Sequence, residues 1–389
     1  MKRLFFGLLA WVLMWSCTVS LGDEIVIPEL KIDRKEIPDC EALRLVQDMK
    51  VGWNLGNTFD AADCFWLSDE MEYESAWCGI RTSRELIRAI REAGFRTLRI
   101  PVSWHNHLSP EGKINPEWLD RVYEVAGWGY EEGLYVIVNI HHDDDPRFYY
   151  PDLEHLESSS AYIRTVWSQI AQRFADFDER VLFESVNEPR LKGTDHEWWW
   201  DPRDPECQES MAVIVALNQV FVDTVRASGG RNAERYLLVP AYDANPQYAC
   251  DPAFSLPEDP AENRIIVSAH AYTPYSFALQ QPGTNAFSLK NGSQTSEVEN
   301  FLQRLYERYV SQGIPVLMSE FGAMDKNNLQ DRVDWVSWYV ACARARGITC
   351  CWWDNHLFEG QGERFGLFSR MNCGCVCPEI LEALIRYCE

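Results

Sequence analysis

The sequence predicts one α/β domain in which eight parallel strands alternate with helices and close into a (β/α)8 TIM barrel. Short apolar runs recur eight times, at Val51 to Leu55, Thr97 to Val102, Tyr135 to Ile140, Val181 to Phe183, Tyr236 to Val239, Ile265 to Ser268, Pro315 to Met318 and Ile348 to Trp352, as suits strands buried on both faces. Helical spacing of apolar residues fills most of the intervals, as in Leu86, Ile87 and Ile90 or Ile163, Val166 and Ile170; only the segment after Val239 lacks it. No glycine-rich phosphate loop follows the first run, so an open doubly wound sheet is the poorer fit. A chain of 389 residues is long for one domain but ordinary for this barrel.

Taken in order, the chain begins with Lys2 and Arg3 ahead of an apolar run from Leu4 to Trp15, too short to span a bilayer as a helix, so residues 1–22 read as a secretory signal peptide. Cleavage before about Asp23 competes with a lipid anchor on Cys17, for which Trp15 stands where a small residue is usual. Membrane attachment is expected only through that anchor. Residues 23–40 mix acids, prolines and aliphatics without a period and form an N-terminal arm; residues 41–389 form the barrel, ending in a cysteine-rich segment. No linker or repeat marks a further module.

Of 13 cysteines, Cys17 would leave with the signal, and an even remainder suits disulfides in an oxidising compartment. Zinc on Cys373, Cys375, Cys377 and Cys388 is the weaker alternative, since neither a CxxC pair nor a nearby histidine accompanies them. Cys350 and Cys351 fall in an apolar run, where at least one is expected as a free buried thiol. A net charge of −23 excludes nucleic acid and anionic membranes as natural partners. The 16 Trp and 16 Tyr exceed the needs of a core and suit stacking on sugar faces.

In a barrel of this kind, chemistry sits at the C-terminal ends of the strands. Those ends carry Asn54 and Asn57, then Arg99, then Asn139, His141 and His142, then Asn187 and Glu188, then His270 and Tyr272, then Glu320, and finally Trp352 and Trp353. Glu188 and Glu320 end two apolar runs of the same design and make a candidate carboxylate pair: one to protonate a leaving oxygen, the other to attack a sugar carbon about 5 Å away. Arg99 would keep the attacking carboxylate ionised or else form a salt bridge beneath the site. Asn187 would bind a sugar 2-hydroxyl, Tyr272 the nucleophile, and Trp353 would floor the site. Glu184, nearer the strand's middle, is expected as a supporting carboxylate at most. Glu188 is expected to have a raised pKa. His141, His142 and the acids Asp143 to Asp145 suggest a metal cluster, but neighbouring strand residues point opposite ways, so hydrogen bonding to sugar hydroxyls is preferred and no metal or cofactor is expected.

The segments GWNLGNTFDA, TLRIPVSWH, VIVNIHHDD, FESVNEPR, SAHAYTPYSF, PVLMSEFGA and CWWDNHLFEGQGERFGLFSR resemble the successive strand-end motifs of glycoside hydrolase family 5, most closely its subfamily 4 of endoglucanases, licheninases and xyloglucanases, over residues 45–372. The resemblance implies Glu188 as acid/base, Glu320 as nucleophile, Arg99, His141, Asn187, His270 and Tyr272 as their supporting shell, and Trp353 as the −1 subsite platform. With Asn57 and His142 these are the expected substrate-binding residues. Three departures stand out: the tail after Asn372, His356 where glycine is common, and the run Trp198 to Trp200. The expected protein is a secreted, monomeric, retaining endo-β-1,4-glucanase acting on β-linked polysaccharide. A mannanase or a dedicated xyloglucanase is the alternative within the class, and a non-catalytic carbohydrate-binding barrel the alternative outside it.

Overall fold

A computed structural model describes residues 24–389; the signal segment and Cys17 lie outside the described residues. Eight parallel strands follow the predicted runs: β1 Val51–Leu55, β2 Thr97–Ile100, β3 Tyr135–Asn139, β4 Val181–Glu184, β5 Leu237–Pro240, β6 Ile265–His270, β7 Val316–Phe321 and β8 Thr349–Asp354. They pair in sequence order and close through β1 and β8, where Val51 to Leu55 align with Cys350 to Asp354. Long helices pack outside, and after β5 there is only a short turn and the helix Pro246–Ala249, as the weak helical signal there implied.

Parity along the strands explains the layering. Val51, Leu98, Val136, Val181, Leu237, Val267, Val316 and Cys350 face the helices and join the large outer core. Ile137, Leu182, Leu238, Ile266, Leu317 and Cys351 face inward and form a separate lower core, which the helix Glu41–Asp48 plugs from below with Ala42 and Val46. Gly52 belongs to that layer because a Cβ there would meet the Cys351 sulfur at 2.3 Å. One step up each strand, the inward positions turn polar, and the site begins there.

Residues of the N-terminal arm lie along two outer helices, Leu329–Arg344 and Pro378–Tyr387. Val26 exchanges hydrogen bonds of 2.9 and 2.8 Å with Gln330, and Leu30 N donates to the Tyr387 hydroxyl at 3.2 Å. The disulfide expectation is corrected: the twelve described cysteines are all free thiols. Cys207, Cys342, Cys350 and Cys388 fill the outer core as small hydrophobes, while Cys351 faces the opposite side of β8 from its neighbour. Cys373, Cys375 and Cys377 gather no metal-binding group among the described residues. Cys375 lies in a two-strand ladder, Phe368–Ser369 with Gly374–Cys375, which Cys373 and Cys377 flank, next to Arg370, which donates to Gly56 O at 2.5 Å and so ties the tail to the turn after β1.

Candidate active site

Arg99, fully buried on β2, organises the polar layer. Its Nε donates to Glu184 at 2.8 Å, and its two terminal nitrogens reach Glu320 at 2.6 Å, Asn54 at 3.0 Å and Asn187 at 2.8 Å. It thus pairs with Glu320 and also salt-bridges Glu184 beneath it. Burial acts to lower the guanidinium pKa, but the charges of Glu184 and Glu320 raise it above its ordinary value. Ser268 donates to the other oxygen of Glu184 at 2.5 Å, and Asn139 donates to Glu184 at 3.0 Å. Glu184, Ser268 and Asn139 thus hold Arg99 in place without reaching the cleft.

Glu188 and Glu320 come together at the mouth of the barrel. An oxygen of each and a ring nitrogen of His270 all lie within 4.8 Å of one another. His270 Nδ1 is 2.7 Å from Glu188 Oε1 and 3.8 Å from Glu320 Oε2, and the Tyr272 hydroxyl donates to Glu320 at 3.0 Å. A break of register in β7, between Met318 and Phe321, lets Ser319 and Glu320 both point inward although they are adjacent.

The raised pKa expected for Glu188 is corrected. Burial pushes that carboxyl up, but the hydrogen bond and charge of His270, with Arg190 and His142, outweigh burial and hold it down at about 2. His270 moves the other way: burial lowers it, and the charge of Glu320 and its bond to Glu188 raise it above 6.5. The two shifts together favour the proton on His270 over Glu188, next to the carboxyl that is to use it. Sequence could not show this, because the two residues are 82 positions apart.

The histidine expectation also changes. β3 ends at Asn139, so His141 and His142 are beyond the strand, and their rings meet edge to face at 4.5 Å instead of diverging. With Asp60 they form a group close enough to ligate an ion. The two oxygens of Asp60, however, already accept the backbone N–H groups of Asn57 and Thr58 at 2.9 and 2.6 Å. His141 lies 3.1 Å from the Asn139 amide nitrogen, so its Nδ1 accepts and its Nε2 carries the hydrogen. Burial first, then His142, Arg99, His270 and Arg190 keep His141 neutral. The acid run is accounted for residue by residue: Asp143 binds His105, Asp144 pairs with Arg190 and Lys192, and Asp145 pairs with Arg147.

Trp353 lies parallel to His141 at 5.8 Å, and a Cβ at Gly56 would strike its indole at 2.8 Å, so the glycine makes room for the ring. Asn57 adopts the left-handed conformation in the turn after β1 and stays outside the Arg99 network. Of the predicted residues, Arg99, Asn187, Glu188, His270, Tyr272 and Glu320 form one connected network; His141, His142 and Trp353 line the same mouth. Sequence reading missed Arg190, Asp243 and Asp60. Only Arg190 carried a signal, its position directly after Pro189.

A closed barrel with two adjacent carboxylates at its mouth, one on an arginine and one on a histidine, is the arrangement of a glycoside hydrolase. The sequence model of cellulase (glycosyl hydrolase family 5) matches residues 60–359, and the chain belongs to that family. Endoglucanase 1 of Ruminococcus albus is 39% identical over 95% of this chain and 88% of its own length. Among solved structures, a family 5 lichenase from Caldicellulosiruptor sp. F32, as a variant in complex with cellotetraose, is 48% identical with a TM-score of 0.93, covering 94% of this chain and all of that one. A GH5-4 broad specificity endoglucanase from Ruminococcus champanellensis with bound cellotriose is 40% identical with a TM-score of 0.83, covering 90% of this chain and all of that one. The protein is a glycoside hydrolase of the cellulase type.

Proposed function

We propose that the protein is a secreted endo-β-1,4-glucanase that hydrolyses β-glucans with retention of anomeric configuration. The observation that carries this reading is the separation of Glu188 and Glu320 oxygens, within 4.8 Å, which suits direct attack by one carboxylate and is closer than the roughly 6.5–9.5 Å of an inverting pair. Ionised Glu320, aligned by Arg99 and Tyr272, attacks the anomeric carbon while His270 passes its proton through Glu188 to the departing oxygen. Water then attacks the glycosyl-enzyme ester, Glu188 takes its proton and returns it to His270, and Glu320 is released. Asn187, whose oxygen accepts from Arg99, keeps its amide hydrogens for the sugar 2-hydroxyl. The similarity to lichenase and broad specificity endoglucanases supports mixed-linkage glucan and cellulose-type chains as substrates, in preference to mannan. Export is supported by the leader-like first residues and the acidic surface.

Assays on barley β-glucan, carboxymethylcellulose, xyloglucan and mannan, with NMR of the first-formed anomer, test the assignment. Fastest release from the mixed-linkage glucan as the β-anomer is expected; fastest release from mannan, or an α-anomer, would sink it.

The His270–Glu188 pair predicts the pH profile. A raised histidine stabilises the fold fully below its unfolded value near 6.5 and loses that effect as pH rises through its folded value; a depressed glutamate stabilises fully above about 4.5 and loses it as pH falls through about 2. The pair is thus at full effect between those unfolded values and holds one proton throughout. The kcat/KM profile should fall on the basic side, above pH 6.5. His270→Ala should lower kcat/KM at pH 7 by about tenfold or more and move that limb to lower pH, because a carboxyl alone then holds the proton. A limb that stays in place would show that His270 does not store it.

A further inference from the structure

We propose that His196, Asp204 and Cys207 bind a divalent metal ion of the zinc class, with water as fourth ligand, and that the ion fixes the loop after β4 that carries Trp198 and Trp199. One ligand atom from each residue lies within 4.8 Å of the other two, and His196 Nε2 is 3.5 Å from Asp204 Oδ2. A tetrahedral ion with bonds of about 2.0–2.3 Å holds its ligands roughly 3.3–3.8 Å apart, so the histidine–aspartate spacing already suits it. Imidazole, carboxylate and thiolate are all zinc ligands.

The hydrogen bonds around this group leave the ligating atoms free. His196 Nδ1 lies 3.3 Å from Trp199 O, which only accepts, so Nδ1 carries the hydrogen and Nε2 a lone pair. A backbone carbonyl behind the ring is what commonly orients a metal-ligating histidine. Asp204 divides its two oxygens. Oδ1 caps the helix Pro205–Ala227 by accepting Glu206 N at 2.8 Å and Cys207 N at 3.4 Å, while Oδ2 faces His196. Lone pair and carboxylate thus meet acceptor to acceptor, an opposition that a cation between them removes. Cys207 Sγ accepts Asp201 N at 3.4 Å, and the Asp201 carboxylate is taken up by Arg203 at 3.0 and 2.9 Å, so it stays out of the group.

The ligands are also anchored through their backbone. His196 N donates to Thr194 Oγ1 at 3.1 Å, and His196 O accepts the Tyr242 hydroxyl at 2.6 Å. Trp200 Nε1 donates to Cys207 O at 2.6 Å and joins the loop to the helix. Cys207 is buried, whereas the His196 and Asp204 side chains are 23% and 33% exposed, so an ion enters from the solvent side. A neutral imidazole, a carboxylate and a thiolate balance its two positive charges, the thiol proton passing to solvent. The ion then ties His196 to the helix start across the exposed rings of Trp198 and Trp199.

Cobalt(II) is the probe, added to the metal-free full-length chain, because cobalt bonded to sulfur gives a near-ultraviolet charge-transfer band. Among the described residues, the other groups spaced to hold an ion are Asp60 with His141 and His142, and Glu188 with His270 and Glu320; neither contains a thiol. The band should appear at one equivalent and be displaced by zinc. Cys207→Ser should lack it, and His196→Ala should bind cobalt about tenfold or more weakly. Zinc should raise the Tm of the wild type but not of His196→Ala. Where Cys207→Ser fails to fold, His196→Ala, which alters a part-exposed ring, still decides. A wild type without the band, a band that survives Cys207→Ser, or an unchanged affinity in His196→Ala would overturn the proposal. So would a wild-type Tm that zinc leaves in place, the result expected if a doubly protonated His196 merely pairs with Asp204.

Discussion

Glu320→Ala is expected to lower kcat on β-glucan by about 10⁴-fold or more, and added azide should restore turnover of an aryl β-cellobioside with the α-glycosyl azide as product. Removing the carboxylate opens a space at the attacking position, so a small external anion takes its place and inverts the centre once. Glu188→Ala should behave differently. Its loss of about 10²- to 10⁴-fold should be greatest for substrates with poor leaving groups, and azide should give the β-glycosyl azide by attacking the glycosyl-enzyme. Product stereochemistry by NMR therefore assigns the two glutamates separately. Near wild-type hydrolysis by Glu320→Ala, or the two azide products exchanged, would refute the assignment. Because Glu188 and Glu320 both touch His270, at 2.7 and 3.8 Å, their effects should be far from additive in the double variant.

Arg99→Ala should be the most destabilising single change in the site. The guanidinium is fully buried and pairs with Glu184 at 2.6 Å and with Glu320 at 2.6 Å, so its removal leaves two carboxylates without their cation inside the barrel. Breaking such a pair from one side costs about 3–5 kcal/mol, whereas removing both partners costs much less. Calorimetry or thermal circular dichroism should show a fall in Tm on the order of 5–10 °C for a chain of this size. Adding Glu184→Gln to Arg99→Ala should recover part of that fall. A Tm within about 1 °C of wild type in Arg99→Ala would mean the buried charges are balanced in some other way. Activity should be lost along with stability, because the same nitrogens orient Glu320 and Asn187.

Much of the fold was legible in the sequence because of what barrel strands require. A strand covered by helices outside and by other strands' side chains inside must be apolar on both faces, so eight apolar runs at barrel spacing identified eight strands and little else fitted them. The strand ends were legible for a related reason. Groups such as Asn187, Glu188 and His270 are costly at the end of an apolar run unless something there uses them.

Other features depended on contacts between distant residues. Parity along the chain assigns Ser319 and Glu320 to opposite faces; only the register break against β6 and β8 turns both inward. The pairing of His141 with His142 depended on where β3 stops, and the free thiols depended on which faces of their elements are buried. The upward shifts of His270 and Asp243 are likewise effects of neighbours and burial, not of residue type. By itself, then, the sequence determined the eight-stranded barrel and named the two glutamates, since hydrophobic burial and strand-end polarity are written locally. The tertiary structure alone decided how Glu320 enters the site, which way Glu188 and His270 shift, and how Trp198 comes to lie over Arg190, because each is set by distances between side chains that the sequence does not state.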